Sequence, residues 1–577
     1  MDKNNKKVYA DYHGPRCTRI VDGELGHWKF SGTAKKSKVK NRTVNYNGDL
    51  ILENGLNDVA AMSYPITGIQ SQNDPHYIEY QILLAKAAHI DGFFVEWGFK
   101  EHRSNKELLG IMEIAKKYDF EIGINWCDAW HFYDWIEEFH TINDRQDKVN
   151  LFKESLQYLL DNVFSKKTGV TFNGHPIIFM FGGGPTVEEF KNILSEEYKI
   201  PQGLKDPWFF TRAPINGQVT ENKVNYELTH TKWLDIMQGV FGWMPTRVRK
   251  GEGTKYDNWD RYAVVEDTVD YLDTLNLGQD KYEDSFKIKI SSAAPGMDNR
   301  ACASWDKHDL SHIPRDNGRT YEEMWKYNAV NKSDIDIVYI VSWNDYTERH
   351  QIEPTIIDGY RELLTTEKYA ADFKGINQNT DGMGLPFKLF DLRKKVDLLN
   401  KVGLETICYE SILDEIGIMV SKGSYVEAKL EIEGIISLLD NVLQQITIDY
   451  LEVNLPNENI ISYSDEGGLY LKFKEGIAKR LRDNYYRGYI SFEYFDNDND
   501  SFLIKGTTNK EKSDNYSIIA DIKKNGTNMW EKGKVQIFKE NIIFNHRLNG
   551  DYDILFDNNV KVKNITFHFS IYGNSRF

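Results

Sequence analysis

The sequence predicts a (β/α)8 TIM barrel, followed by a helical linker and a C-terminal β-sandwich of jelly-roll type. Three observations lead there. Short apolar runs alternate with helical patterns through the first two-thirds of the 577 residues. No GxGxxG follows the first run and no Walker A sequence occurs, as an open doubly wound sheet would normally show. Beyond Leu385 the alternation stops, and helices give way to closely spaced strands. The expected bounds are 1–375 for the barrel, 376–445 for the helical linker and 446–577 for the sandwich.

The expected barrel strands, in order, are "VYADY" from Val8, "GFFVEW" from Gly92, "EIGINW" from Glu121 and "PIIFMF" from Pro176. "PWFFTR" from Pro207, "GVFGWM" from Gly239, "KIKISSA" from Lys287 and "IDIVYIVSW" from Ile335 complete the set. Several are apolar throughout, as parallel strands covered on both faces require. Between them lie helical stretches. "DPHYIEYQILLAKAAH" opens with Asp74 as N-cap and Pro75 at the first helical position. Apolar residues at three- and four-residue spacing mark "SNKELLGIMEIAKKY", "DKVNLFKESLQYLLDNVF", "TVEEFKNILSEEY", "DRYAVVEDTVDYLDTL" and "TYEEMWKYNAV". "DGYRELLTT" follows the last strand. Between strands five and six only "NYELTHTKWLDI" is available as a helix. Further on, "LPFKLFDLRKKVDLLN" and "SYVEAKLEIEGIISLLDNVLQQI" read as docking or linker helices, and eight short strands are expected after Ile446.

Composition narrows the function. A net charge of −16 argues against nucleic acid as a partner, because a polyanion needs a basic face. No apolar run reaches membrane-spanning length, so no membrane insertion is expected. The N-terminus shows no apolar signal region, which points to a cytoplasmic protein, or to a secreted one trimmed of its leader. The four cysteines form no CxxC pair; buried thiols are expected rather than a zinc site or disulfide framework.

The chemistry gathers at strand ends, where a barrel keeps its catalytic groups. "SWNDYTERHQIEP", directly after strand eight, holds Trp343, Asn344, Asp345, Tyr346, Glu348 and Glu353. Breaking a glycosidic bond takes one carboxylic acid to protonate the leaving oxygen and a second carboxylate as base or nucleophile. Asp345 and Glu348, three apart in a turn, can face one cavity. Tyr12 and His13 follow strand one, with Tyr64 in the loop beyond; Glu96 and Trp97 follow strand two. Trp126, Asp128 and Trp130 follow strand three, Arg212 strand five, Trp243 strand six, and Asp298 and Arg300 strand seven. Aromatic faces among hydrogen-bonding groups suit sugars. "FGGGP" from Phe181 reads as a tight turn in preference to a phosphate cradle, and "FDNDND" from Phe495 as a hairpin turn in preference to a calcium loop. His27, His89 and His175 show no metal spacing and are expected to be structural.

On "SYPITG…SQNDP", "HIDGFFVEWGF", "APGMDNR" and above all "SWNDYTERHQIEP", the sequence resembles the glycoside hydrolase family 71/99-like group, best known for endo-acting α-mannosidases. The resemblance spans residues 8–370. It implies a (β/α)8 fold and retaining cleavage of an α-linked oligo- or polysaccharide without a metal or other cofactor. In that group the segment after strand eight reads Asn-Glu-Trp-His-Glu-Gly-Thr-Gln-Ile-Glu. Its first Glu helps the sugar's own 2-hydroxyl attack the anomeric carbon, and its second is the general acid/base. Asp345 takes the first position and Glu348 the second; Asn344 and Glu353 also match. Asp345 is one methylene shorter, drawing the carboxylate back by about 1.5 Å. Arg349 and His350 replace a Gly-Thr pair and bring positive charge toward an acidic or phosphate-bearing sugar. The alternatives are a glycosyltransferase or transglycosylase of polysaccharide assembly, and a non-catalytic glycan-binding protein.

Overall fold

The computed structural model describes residues 6–14, 16–33, 43–195, 198–305, 309–401, 405–444, 448–456, 458–508, 516–548 and 551–572. Ile446 and Thr447, expected to begin the first C-terminal strand, lie outside them. Eight strands form one parallel sheet: β1 Lys7–Tyr12, β2 Gly92–Trp97, β3 Glu121–Trp126, β4 His175–Met180, β5 Trp208–Arg212, β6 Gly239–Phe241, β7 Ile290–Ala293 and β8 Ile337–Ile340. Each pairs with its sequence neighbour, and β8 also pairs with β1, Val8 lying opposite Val338. Among the described residues no ladder joins β6 to β7, so the ring is a nearly closed barrel with a seam there. Consecutive order with a β1–β8 closure excludes the open doubly wound sheet.

Period-two alternation divides the strand residues between two cores. Tyr9, Phe94, Phe179, Phe210, Phe241 and Tyr339 point inward, with Phe179 stacked between Phe94 (4.1 Å) and Phe241 (4.5 Å). A β-carbon at Gly123 would lie 2.7 Å from the Phe94 ring, which is why β3 carries a glycine there. Val8, Ala10, Phe93, Val95, Ile122 and Ile124 point outward against the helices.

The helical layer is α1 Pro75–Ala87, α2 Arg103–Tyr118, α3 Arg145–Leu159, α4 Val187–Ser195, α5 Val265–Asp280, α6 Arg319–Val330 and α7 Arg361–Lys374. Asp74 caps α1 as expected, accepting the His76 N–H at 2.9 Å. Between β5 and β6 the expected helix is absent. Ile215–Thr220 and Lys223–Leu228 form an antiparallel hairpin instead. Val224 and Leu228 are buried at even spacing, so period two prevails over the weak helical pattern of "NYELTHTKWLDI".

Of three further helices, α8 Leu385–Lys401 and α9 Ile407–Ser421 lie against α1, and α10 Tyr425–Gln444 packs on α8 and α9; all share one core. Phe390 packs 5.7 Å from Tyr80, and Arg393 forks onto Glu79 with both contacts at 2.9 Å. This segment is therefore docked on the barrel through α8 and α9. Among the described residues no helix is long and apolar enough to cross a membrane.

Among its described residues the C-terminal part has nine strands rather than eight: β9 Ile448–Asn454, β10 Ile460–Asp465, β11 Gly468–Phe473, β12 Tyr485–Asp496, β13 Ser501–Thr507, β14 Tyr516–Lys523, β15 Met529–Phe538, β16 Ile554–Asp557 and β17 Val562–Tyr572. The unexpected one, β10, is exposed along most of its length and so lacks a clear apolar alternation. A helix, α11 Glu475–Asn484, also went unsignalled. Two antiparallel sheets, in the orders β9-β17-β12-β15 and β10-β11-β16-β13-β14, enclose one apolar cluster containing Phe492, Phe502, Phe556 and Phe567. In "FDNDND", Asp496 accepts the N–H groups of Asn525, Gly526 and Thr527, and the Lys524 ammonium meets Asp498 at 2.7 Å. The turn's acids thus serve the hairpin.

The long loop after β1 joins the two parts. Arg19 forks onto Asp49 (2.7 and 2.6 Å), and Asp49 Oδ2, one of the two oxygens so engaged, also accepts the Asp521 N–H of β14 at 3.0 Å. The Ile51 N–H reaches the Lys534 carbonyl of β15 at 2.9 Å, and Lys29 pairs with Asp521.

Candidate active site

A cavity of about 1230 Å³ opens at the C-terminal ends of the barrel strands. His13, Glu96, Asp128, Arg212, Trp243, Asp345 and Glu348, all expected from sequence, line it. Its centre is the turn after β8. Asp345 Oδ1 accepts the N–H groups of Thr347 (3.0 Å) and Glu348 (3.1 Å), with an Arg16 nitrogen at 3.5 Å. Asp345 Oδ2 faces His350 Nε2 at 3.2 Å and His13 Nδ1 at 3.8 Å. The short side chain folds back over its own turn. The missing methylene therefore has a local reason: the acid at 345 caps the turn that presents Glu348.

His350 Nε2 also lies 3.2 Å from Glu348 Oε2, so one imidazole joins two carboxylates. The Glu348 side chain is 18% exposed against 7% for Asp345, which leaves Glu348 the more accessible of the two. Burial alone would raise the Asp345 carboxyl. His350, His13 and Arg16 outweigh it and hold that group well below the usual carboxylate range. Burial opposes charge on His350 as well, yet Asp345 and Glu348 raise its basicity.

A second imidazole repeats the pattern. His13 Nε2 pairs with the buried Asp11 at 2.5 Å, and its Nδ1 faces Glu96 at 3.5 Å. Burial works against the charge on His13, but Asp11, Glu96 and Asp345 raise it well above an ordinary histidine. Asp11 is fixed in turn by Asn125 (2.7 Å) and the Tyr339 hydroxyl (2.6 Å). Asn344 clamps the His13 backbone, accepting its N–H at 2.8 Å and donating to its carbonyl at 3.1 Å. Arg16 lies between the Trp28 and Tyr346 rings, at 5.4 and 5.3 Å.

Asp345, Glu348 and His350 each offer a ligand atom within 4.8 Å of the others, a spacing that can hold a cation. His350 Nε2 already stands at hydrogen-bonding distance from both carboxylates.

Asp128 settles the glycine turn. Its carboxylate accepts the N–H groups of Gly182 (2.6 Å) and Gly184 (2.9 Å), and burial raises it to about 6 against those bonds. The amides of "FGGGP" are thus directed at a carboxylate within the protein, and the turn reading is the one that fits.

Other expected residues lie elsewhere. Trp97, Trp126, Trp343, Tyr346 and Tyr12 are enclosed in packed cores: Trp126 stacks on Phe152 at 4.1 Å, and the Tyr12 hydroxyl bonds Gln81 at 2.8 Å. Their positions beside the rim follow from the strands, but the rings of Tyr12, Trp97 and Trp126 turn outward toward the helices, and Tyr346 packs on Trp28 in the long loop after β1. Tyr64 packs with Leu25 and Trp28 inside the β1–α1 loop. Glu353 is buried under Tyr77 and Gln81, and burial brings it to about 7. Asp298 pairs with Arg300 (2.9 Å), whose guanidinium covers Trp259, and neither lines the cavity. Arg349 leans toward Asp298 at 4.0 Å and lies off the cavity as well.

Sequence reasoning missed Asp11, Arg16 and Arg247 as site residues. Asp11 left one signal, an acid inside an apolar strand; the two arginines left none. Of the histidines expected to be structural, His89 lies by Glu367 (3.5 Å) and His175 stacks on Trp208, while His27 reaches the cavity wall, where burial and Arg16 lower it to about 3. Cys17, Cys127 and Cys302 are buried as expected, whereas Cys408 is exposed on the outer side of α9.

The family model described as "Glycosyltransferase WbsX" matches residues 67–366, 300 of the 577 residues. The chain belongs to the WbsX family. The match takes in β2 to β8 and Glu348, while β1 with Asp11, His13 and Arg16 precedes it. Solved structures similar to this chain include a GH99 endo-alpha-mannosidase from Bacteroides thetaiotaomicron, in complex with BIS-TRIS-propane, at 17% identity and a TM-score of 0.42. That likeness covers 65% of this chain and 98% of the other. A "glycoside hydrolase-like protein" is similar at 9% identity and a TM-score of 0.40, over 63% of this chain and 94% of that one. The group resembled by the strand-eight motif is the one to which the mannosidase belongs.

Proposed function

We propose that this WbsX-family protein cleaves an α-linked glycan with retention, Glu348 serving as acid/base and Asp345 as the carboxylate that assists the nucleophile. The observation that carries this reading is the Asp345–His350–Glu348 cluster on the cavity wall. Both carboxylates line one cavity, with ligand atoms within 4.8 Å of one another, close enough to act on the 2-hydroxyl and the leaving oxygen of one sugar unit. In the first step Asp345 takes the proton of the sugar 2-hydroxyl as that oxygen bonds the anomeric carbon, and Glu348 protonates the departing oxygen. In the second, Glu348 takes a proton from water as it attacks the anomeric carbon, and Asp345 returns its proton to the 2-oxygen. His350 and His13 keep Asp345 ionised for the first step, while Trp243 offers a face for a sugar ring.

A second reading is favoured by the family's description as a glycosyltransferase: a sugar hydroxyl replaces water in the second step. One experiment addresses both. The protein is incubated with α-mannans and acidic bacterial glycans, with and without acceptor oligosaccharides. New reducing ends of retained configuration support hydrolysis, and lengthened acceptors support transfer. Glycans bound but never cleaved would remove both readings.

A further inference from the structure

Five arginines line the cavity of a chain whose net charge is −16. Three have acidic partners: Arg16 with Asp345 (3.5 Å), Arg103 with Glu24 (3.6 Å) and Arg261 with Asp309 (2.6 Å). Arg212 and Arg247 form no ion pair among the described residues; the carboxylates that act on them from a distance are Asp128 and Glu348 respectively. Arg212, at the end of β5, lies over the Phe181 ring at 4.8 Å. Arg247 donates one N–H to the Pro245 carbonyl at 3.1 Å, and its Nε is buried without a hydrogen-bond partner. Arg212, Arg247, Tyr271 and Glu348 all line this cavity.

A guanidinium N–H buried without an acceptor, as at Arg247, is unfavourable, and the exposed Arg212 on the same cavity adds a second positive charge. The planar fork of arginine is matched to carboxylate and phosphate oxygens. The half-buried Trp243 stands beside them, edge-on to Phe181 at 4.9 Å. Arg349, which suggested positive charge from sequence, faces Asp298 instead; the cavity's uncompensated charge comes from other loops.

We infer that the cavity takes a glycan bearing a carboxylate or phosphate group, held by Arg212 and Arg247 beside Glu348. This rests on the proposal of a glycan substrate and names its class. The anion completes two guanidiniums that form no ion pair among the described residues, and fixes which sugar unit sits at Glu348.

Calorimetry on the Glu348→Gln protein tests the inference, since binding is then read apart from cleavage. The probes are oligogalacturonate and its carboxyl-reduced counterpart, then phosphomannan oligosaccharides and their dephosphorylated counterparts. One acidic probe is expected to bind about tenfold or more tightly than its neutral partner, with an affinity that falls as salt rises. Preference for oligogalacturonate identifies a carboxylate site, and preference for phosphomannan a phosphate site. Adding R212M or R247M is expected to shrink the acidic-to-neutral ratio. Equal binding of acidic and neutral partners, no binding of either acidic probe, or salt-independent affinity overturns it. Salt dependence needs no arginine variant, so the test stands if those variants fold poorly. Acidic glycan bound but never cleaved by the unsubstituted enzyme would sink the cleavage proposal and leave this one standing.

Discussion

His350 Nε2 lies 3.2 Å from Asp345 Oδ2, the imidazole wholly enclosed and the carboxylate nearly so. Each makes the other's charge tolerable where burial alone would remove it. The signs give a pH window. His350 is raised when folded, so its contribution is complete below the ordinary imidazole value and lost as pH climbs through the raised one. Asp345 is depressed when folded, so its contribution is present above the ordinary carboxylate value and lost as pH falls through the depressed one. His350→Gln is expected to cost on the order of 3 kcal/mol near pH 6, less at pH 9. Urea unfolding at both pH values checks this; an equal cost at each would contradict it.

Glu348→Gln removes the proposed acid/base and leaves the backbone N–H that Asp345 accepts. The rate on a cleaved glycan should drop by about a hundredfold to ten-thousandfold. Melting temperature should stay close to that of the parent, because the side chain is partly exposed and the turn keeps its cap. Undiminished turnover would reassign the role.

Glu107 on α2 is buried, its Oε1 has no hydrogen-bond partner among the described residues, and burial raises the carboxyl to about 8. A raised acid contributes stability that is complete below its unfolded value and lost as pH rises through the folded one. Glu107→Gln escapes that loss. The variant should gain on the parent between about pH 4.5 and 8, reaching a few kcal/mol. Melting curves at pH 5 and pH 8.5 measure the difference, and no growth in the gap would refute it.

Gly184 follows β4 at the turn held by Asp128. A β-carbon there would lie 2.5 Å from Asp128 Oδ2 and 2.8 Å from the Asp128 carbonyl oxygen. Gly184→Ala should cost about 1–3 kcal/mol by forcing the two apart. It should also raise KM, since Asp128 lines the cavity. Chemical denaturation and steady-state kinetics report the two effects separately.

Asp49 links the sandwich to the loop that carries Arg16. Asp49→Ala strips Arg19 of its bidentate partner and β14 of an acceptor. A loss of about 3 kcal/mol is expected, the cost of leaving an enclosed charge unpaired. KM should rise as well, because the same loop brings Arg16 to Asp345. An unchanged KM would mean that the sandwich braces the loop without tuning the site.

The sequence by itself determined the barrel strands, because buried parallel strands must be apolar on both faces and that requirement shows in several of the short runs. It also determined the turn after β8: an acid at 345 can cap its own turn, and that geometry is local. Only the tertiary structure decided which side chains face the cavity. Tyr12, Trp97 and Trp126 sit at the right strand ends, yet their rings point to the helices, and no local pattern records that choice. His13 and Arg16 meet Asp345 across more than 300 residues of chain, and Arg212 and Arg247 lack an ion-pair partner among the described residues because of what surrounds them in space. Periodicity is a property of neighbours along the chain. Charge compensation belongs to neighbours in space, which exist only once the ring of strands has closed.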